Sequence, residues 1–270
     1  MGKRKREARK KYKEKKHQAQ QNYNKDDLIR INKYIAHAGF CSRRDADDLV
    51  ADGQVQVNGE IVTELGTKIR RKDEVMVKDQ RLSLEPFIYI LLNKSRDTIS
   101  TTDDEKDRRT VMDQIEDATG NRVYPVGRLD RNTTGLLLLT NDGDLAHRLM
   151  HPSYKVLKVY EVETKKPVYQ DDLEAFIEGV QLDDGIAKAY SVRQFVDDSK
   201  VIEMSLMQGR NRQIRRMVEA VENEVVALRR VEYAGLTLKN VRNGRWRYLK
   251  KNEVNKLRKL VKLEPLNFNN

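Results

Sequence analysis

The sequence predicts an α+β protein built in two units. Residues 28–63 carry two short amphipathic helical patterns followed by a tight hairpin signal. Apolar or alternating stretches of strand length recur from residue 87 onward, at 87–94, 136–139 and 156–164. Helical patterns lie singly among these strands, at 144–150, 171–178 and 212–221.

The first unit follows a charged leader. Residues 1–27 hold eleven Lys/Arg against four Asp/Glu and no apolar periodicity, which predicts a disordered basic tail. Such a tail suits either tracking of phosphates or simple solubility. Leu28, Ile31, Ile35 and Ala38 recur at helical spacing, and Gly39 closes that helix. Ser42 takes the N-cap position of a second helix, with Asp45 three residues on to complete a capping box. Ala46, Leu49 and Val50 form its apolar stripe, and Gly53 ends it. Residues 54–57 and 60–63 flank Asn58-Gly59, a pair suited to a type I′ turn. Arg43 and Arg44 fall in the first turn of the second helix, where the macrodipole disfavours cations; an external anion would offset that cost. Residues 78–86 read as a linker.

The second unit opens with the strand at 87–94. The charged segment 95–121 is expected to hold one helix, around 111–118. The run 136–139 is too short for an isolated helix and is bounded by Gly135 and Asn141-Asp142-Gly143, so a buried strand is predicted. In 156–164, Val156, Lys158, Tyr160, Val162 and Thr164 share one face. Residues 180–200 read as hairpin-rich, and 225–238 as two more strands. A basic helix is expected over 250–262, with Lys250, Lys251, Lys256, Arg258, Lys259 and Lys262, followed by a frayed end.

Composition narrows the classes. The formal charge is +11 over 270 residues, most of it in the tail, which points to a polyanionic partner such as nucleic acid. A single cysteine, Cys41, rules out an intramolecular disulfide and fits a reducing cytoplasm. No apolar run approaches 18 residues, so no membrane span is expected, and the tail lacks the apolar segment of a secretory signal. His147 and His151 stand four apart without the glutamate or third ligand a zinc site needs, so no metal is expected. Neither phosphate-binding glycine motif is present.

Two stretches carry chemistry. In Gly127-Arg128-Leu129-Asp130-Arg131 an aspartate sits between two arginines at the entrance of the 136–139 strand. The flanking cations favour its charged form, suiting a nucleophilic or electrostatic role; a loop ion pair pinning a turn fits the same residues. In Gly209-Arg210-Asn211-Arg212-Gln213-Ile214-Arg215-Arg216, helical winding puts Arg212, Arg215, Arg216 and Glu219 on one face and Ile214, Met217, Val218 and Val221 on the other.

These stretches resemble the RNA pseudouridine synthases of the RsuA/RluB/RluE/RluF family. The match is the Gly-Arg-Leu-Asp motif with its Thr-x-Gly-Leu-Leu-Leu-Leu-Thr-Asn-Asp-Gly continuation, Lys158-Val159-Tyr160, and Gly209-Arg210 with Gln213-Ile214-Arg215. The resemblance covers about residues 28 to 250, with the two-helix-and-hairpin unit similar to an S4 RNA-binding domain at 28–77. It implies a catalytic domain at 87–250 on a mixed, largely antiparallel sheet, closed by a strand at 244–249 anchored by Trp246. Residues 251–270 lie outside it. It implies Asp130 as the catalytic carboxylate, Arg215 as its partner and Tyr160 against the target base. Arg128 would fill the space vacated by the target base, and Arg43, Arg44, Arg210, Arg212 and Arg216 would contact RNA. Many relatives outside this branch carry histidine where this chain has Arg212. The reaction implied converts a uridine of ribosomal RNA to pseudouridine, without cofactor or metal, in a cytoplasmic monomer acting on rRNA or a pre-ribosomal particle. Large-subunit rRNA is the expected substrate. Small-subunit rRNA, or a non-catalytic ribosome-assembly role for the same fold, are the alternatives.

Overall fold

In the computed structural model, residues 26–268 and the backbone of residues 19 and 20 are described. The expected tail at 1–27 falls almost wholly outside the described residues. Its backbone at β1 (Ala19–Gln20) pairs antiparallel with β19 (Asn267–Phe268).

The first unit runs β2 (Leu28–Arg30), α1 (Ile31–His37), α2 (Arg43–Ala51), β3 (Val55–Val57), β4 (Glu60–Ile61), β5 (Lys68–Arg70), β6 (Val75–Val77) and β7 (Gln80–Arg81). Ser42 and Asp45 form the capping box that starts α2, at 3.2 and 3.1 Å. Asn58 and Gly59 both take positive φ in the β3–β4 turn, as a type I′ turn requires. Three sequence expectations change here. Leu28 is not in the first helix: it pairs with Arg70 in a strand, and its side chain is exposed. The linker is shorter than 78–86, because β7 pairs with β6 and Leu82 is buried in the small core. The helix expected around 111–118 is only a 3-10 turn at Asp113–Ile115, although Val111, Ile115 and Ala118 are all buried.

The second unit comprises β8 (Tyr89–Lys94), β9 (Tyr124–Pro125), β10 (Thr134–Thr140), α3 (Gly143–Met150), β11 (Lys158–Thr164), α4 (Gln170–Glu178), β12 (Val180–Leu182), β13 (Gly185–Ala187), β14 (Ser191–Phe195), β15 (Asp198–Leu206), α5 (Gln213–Ala220), β16 (Val225–Tyr233), β17 (Leu236–Thr237), β18 (Trp246–Tyr248) and α6 (Lys251–Leu260). One sheet has the order β14-β15-β11-β16-β10-β8-β18, with β17 on β16 and β9 on β10. Only β10 and β16 run parallel; every other pair is antiparallel.

Both faces of the central strands are covered. Ile90, Leu92, Leu137 and Leu139 pack under α5 and α4, while Tyr89, Leu91, Leu136 and Leu138 pack under α3 and α6. That double burial is why β8 and β10 read as unbroken apolar runs rather than as alternation. Trp246 is only half-buried, bonding Asp117 through its indole N–H, and Tyr248 is the deeper anchor, donating to the Ala118 carbonyl.

The C-terminal segment packs into the second unit, contrary to expectation. Val254, Leu257, Val261 and Leu266 are buried in the second core. Arg258, 1 % exposed, pairs with the equally buried Asp142 at 2.6 Å. Asp142 also caps α3 through the Leu145 N–H and accepts from the Tyr89 hydroxyl at 2.8 Å.

The two units meet through Lys33 and Asp144 (2.6 Å), Arg122 on the Cys41 carbonyl (3.2 Å), and His37 stacked on Phe87 at 4.8 Å. Burial pushes the His37 imidazole down to about 4, with the Arg71 and Lys33 charges adding to it. A histidine held neutral in the fold contributes stability above its ordinary value of 6.5, and that contribution is lost as pH falls from 6.5 toward about 4. The loss is expected to reach about 3 kcal/mol at most. Urea melts at pH 7 and pH 4.5 test this. His37→Phe should narrow the difference between the two, and an unchanged difference would remove His37 as its source.

Candidate active site

The site is assembled on the loop that enters β10. The Thr133 N–H donates to the Asp130 carbonyl at 3.0 Å, closing a turn. Behind it Lys94, fully buried at the end of β8, donates from Nζ to the carbonyls of Thr133 (2.7 Å), Asp130 (3.1 Å), Arg131 (3.2 Å) and Ser95 (3.2 Å). The Ser100 hydroxyl donates to the Leu129 carbonyl (2.9 Å) and accepts from its N–H (3.1 Å). Burial pushes the Lys94 ammonium down to about 8, against the pull of the Asp130 and Asp97 carboxylates. Asp130 is therefore presented from a fixed base.

Asp130 opens on a cleft of about 260 Å³, whose walls include Arg128, Tyr160, Arg212, Leu206, Ile214 and Leu228. From α5, Arg215 places Nε 4.0 Å from Asp130 Oδ2 and donates from Nη1 to the Val225 carbonyl at 3.3 Å. Its guanidinium lies below its ordinary value, chiefly through burial and then through the Arg212 charge, with Asp130 opposing. Tyr160 is 9 % exposed on β11 and stands opposite Arg230 of β16. The structure thus brings Asp130, Arg215, Tyr160, Arg128 and Arg212 to one place.

Other expected residues lie elsewhere. Arg131 turns from Asp130 and meets Asp97 at 2.5 Å, so the cation paired with the carboxylate is not the one next to it in sequence. Arg216 binds both carboxylate oxygens of Asp184 (3.0 and 2.9 Å), and Arg210 bonds Asp184, Gly185 and Ile186. Both arginines tie the β12–β13 hairpin to α5; Arg210 also lines the cleft, whereas Arg216, expected to share a face with Arg212 and Arg215, is not among the residues that line it. Arg212 is the residue before α5, in a left-handed conformation, with Glu219 at 3.9 Å. Arg43 donates to Asn32 at 3.3 Å beside the junction of the two units, and Arg44 is exposed.

Two residues of the site, Lys94 and Arg230, carry no motif that sequence reading would weigh, and a third, Lys158, lies in the Lys158-Val159-Tyr160 match without a role assigned to it. Lys158 had a signal, since it shares a strand face with Tyr160. The ring centroids of His147 and His151 are 5.6 Å apart; among the described residues no group of three metal-ligating side chains occurs. No helix among the described residues is long and apolar enough to cross a membrane.

Comparison with known proteins identifies the family. The family described as RNA pseudouridylate synthase matches residues 88–220, and the S4 domain family matches 29–75. The chain is 42% identical over 238 residues to ribosomal large subunit pseudouridine synthase B of Bacillus subtilis (strain 168), covering 87% of this chain and 97% of that one. Over 239 residues it is 36% identical to an uncharacterized RNA pseudouridine synthase of Aquifex aeolicus (strain VF5), covering 87% and 96%. A crystal structure of a pseudouridylate synthase superposes with a TM-score of 0.60 at 29% identity, covering 85% of this chain and 99% of that one. By sequence and by fold, this chain belongs to the RNA pseudouridine synthases, isomerases that act on RNA, and carries an S4 domain at its N-terminus.

Proposed function

We propose that the chain isomerises one uridine of large-subunit ribosomal RNA, acting as a cytoplasmic monomer on rRNA or a pre-ribosomal particle, with neither metal nor cofactor. The observation that carries it is the Asp130 carboxylate paired with a half-buried Arg215 in the cleft that Tyr160 also lines. The large-subunit target follows the name of the Bacillus relative, which spans nearly the same length.

In this reading the target uridine leaves its stack and enters the cleft, and Arg128 fills the space behind it. The N1–C1′ bond breaks, and its electron pair stays with the base. Asp130 acts either by bonding to C1′ or by taking the 2′ proton; both use its ionised form, which Arg215 orients. The base turns, C5 bonds to C1′, C5 gives up its proton and N1 gains one, so nothing is consumed. Tyr160 stacks on the base through these steps. Arg212 at the cleft and Arg43 and Arg44 on the S4 domain contact the RNA, Arg43 from beside the junction. Arg210 and Arg216 contribute by holding the hairpin beside α5.

Pseudouridine mapping by carbodiimide treatment and primer extension tests this, on rRNA from cells with and without the gene. One stop in large-subunit rRNA should vanish in the deletion and return with the wild-type gene. A lost stop in small-subunit rRNA would correct the substrate. An unchanged map across all RNAs would favour an assembly factor that has kept the fold.

A further inference from the structure

The floor of the cleft holds two cations that the roles above leave unused, one buried and one half-buried. Arg230 is 3 % exposed; its Nε donates to the Leu136 carbonyl at 2.8 Å, while Nη2 is buried without a hydrogen-bond partner. Lys158 donates to the carbonyls of Val156 (2.9 Å) and Met207 (3.4 Å). Both lie against the same ring: the Arg230 guanidinium is 4.7 Å from the Tyr233 centroid and the Lys158 ammonium 6.0 Å. Among the described residues neither cation has a carboxylate partner.

A distortion of the sheet builds this arrangement. Val159 pairs with Glu232, but the next residue, Tyr160, pairs with Arg230, so β16 carries one extra residue, Val231. Arg230 and Tyr233 are three apart and would face opposite sides of a regular strand. The bulge turns them together, and with them the stretch of β16 facing Lys158 and Tyr160. Burial, and after it the charge of Arg230, pushes the Lys158 ammonium down to about 8. A buried guanidinium beside a half-buried ammonium, without a counter-ion, is costly, and an anion received between them relieves the cost.

We propose that Arg230 and Lys158 form an anion hole for the detached base, donating to the ring oxygens of the uracil anion between breakage of N1–C1′ and formation of C5–C1′. This rests on the isomerase reading above. The electron pair released from N1–C1′ spreads from N1 onto the ring oxygens, and donors fixed there in advance favour the cleaved state over the intact nucleoside. The same donors hold the base while it turns. They repel a cytosine, whose amino group would bring a donor to a donor.

The test uses full-length protein and an RNA containing the mapped uridine, under single-turnover conditions. Arg230→Met should slow isomerisation about 10²- to 10³-fold, the cost of removing one preorganised donor to a developing anion. RNA affinity should stay within about three-fold, as expected when a contact is made only in the transition state. With 5-fluorouridine as the target, whose base anion is intrinsically more stable but whose C5 has no proton to lose, the rate read is disappearance of the N1-linked nucleoside rather than completed isomerisation; there the gap between wild type and variant should shrink at least about ten-fold, since the missing donor then matters less. Arg230→Lys should restore part of the rate. Because Arg230 also holds the Leu136 carbonyl, Lys158→Met provides a second variant that leaves that bond intact, with the same expected pattern. An unchanged gap on 5-fluorouridine in both variants, or a loss confined to RNA affinity, would overturn the anion hole and leave these cations structural. Failure of wild-type protein to isomerise any RNA would instead overturn the reading on which the proposal rests.

Discussion

Asp130→Asn is expected to abolish isomerisation, lowering the single-turnover rate about 10⁴-fold or more, the scale of losing a reacting group from an assembled site. RNA affinity should remain within about three-fold. The substitution keeps the size of the side chain and its place in the turn, because the Lys94 ammonium and the Thr133 N–H hold the Asp130 carbonyl and not its carboxylate. The side-chain contact it weakens is the 4.0 Å ion pair with Arg215, in which the Asp130 side chain is 39 % exposed. Pairs of that length and exposure contribute about 1 kcal/mol or less, so the melting curve should hardly move. Gel-shift titration and thermal melting beside the rate assay separate the cases. A collapse of affinity or stability along with activity would make Asp130 a structural residue.

Gly135→Ala is expected to cost about 4 kcal/mol or more and to leave little folded protein, by the mechanism of strain that nothing nearby can relax. Gly135 has φ +104, and a Cβ there would lie 2.2 Å from the Arg230 carbonyl oxygen and 2.8 Å from its nitrogen. Both are backbone atoms of β16, at the register where β10 runs parallel to it. A flexible side chain could swing aside, but a paired strand cannot. Gly120→Ala is the control, since a Cβ there meets nothing within 4 Å, and it should stay within about 0.5 kcal/mol. The measurement is urea unfolding of both variants beside wild type. Equal midpoints for Gly135→Ala and wild type would show that the two strands can separate at this point without penalty.

What was legible in the sequence is what neighbouring residues dictate. The capping box at Ser42 and Asp45, the Asn58-Gly59 turn and the run before Asn141 each depend on a few adjacent side chains, and each is present. The Asp130 loop and the Arg215 helix were legible for the same reason. Arg230 was not: it faces the cleft only through a bulge, and its partners Leu136 and Tyr233 follow from strand register. Arg258 was hidden among the surface-like cations of 250–262, although the spacing of Val254, Leu257 and Val261 already marks an inward face. At 111–118 the apolar spacing located the buried side chains, while the backbone between them made only a 3-10 turn. Leu28 and Ile31 stand three apart, which suits a helix, and pairing with β5 decided the matter for Leu28.

The pairing of β18 with β8, which sets Trp246 opposite Leu92, fixes the order in which the two units can be completed on the ribosome. The small unit has its full set of strands once Arg81 has been made, and its core closes with Leu82. The large sheet must hold β8 without its second neighbour until Tyr248 emerges, a long closure that slows folding through its entropy. An unpaired edge flanked by apolar faces is a template for association with other chains. The N-terminal domain is thus finished early in translation, and the nascent catalytic half is most vulnerable to aggregation just before its last strand arrives.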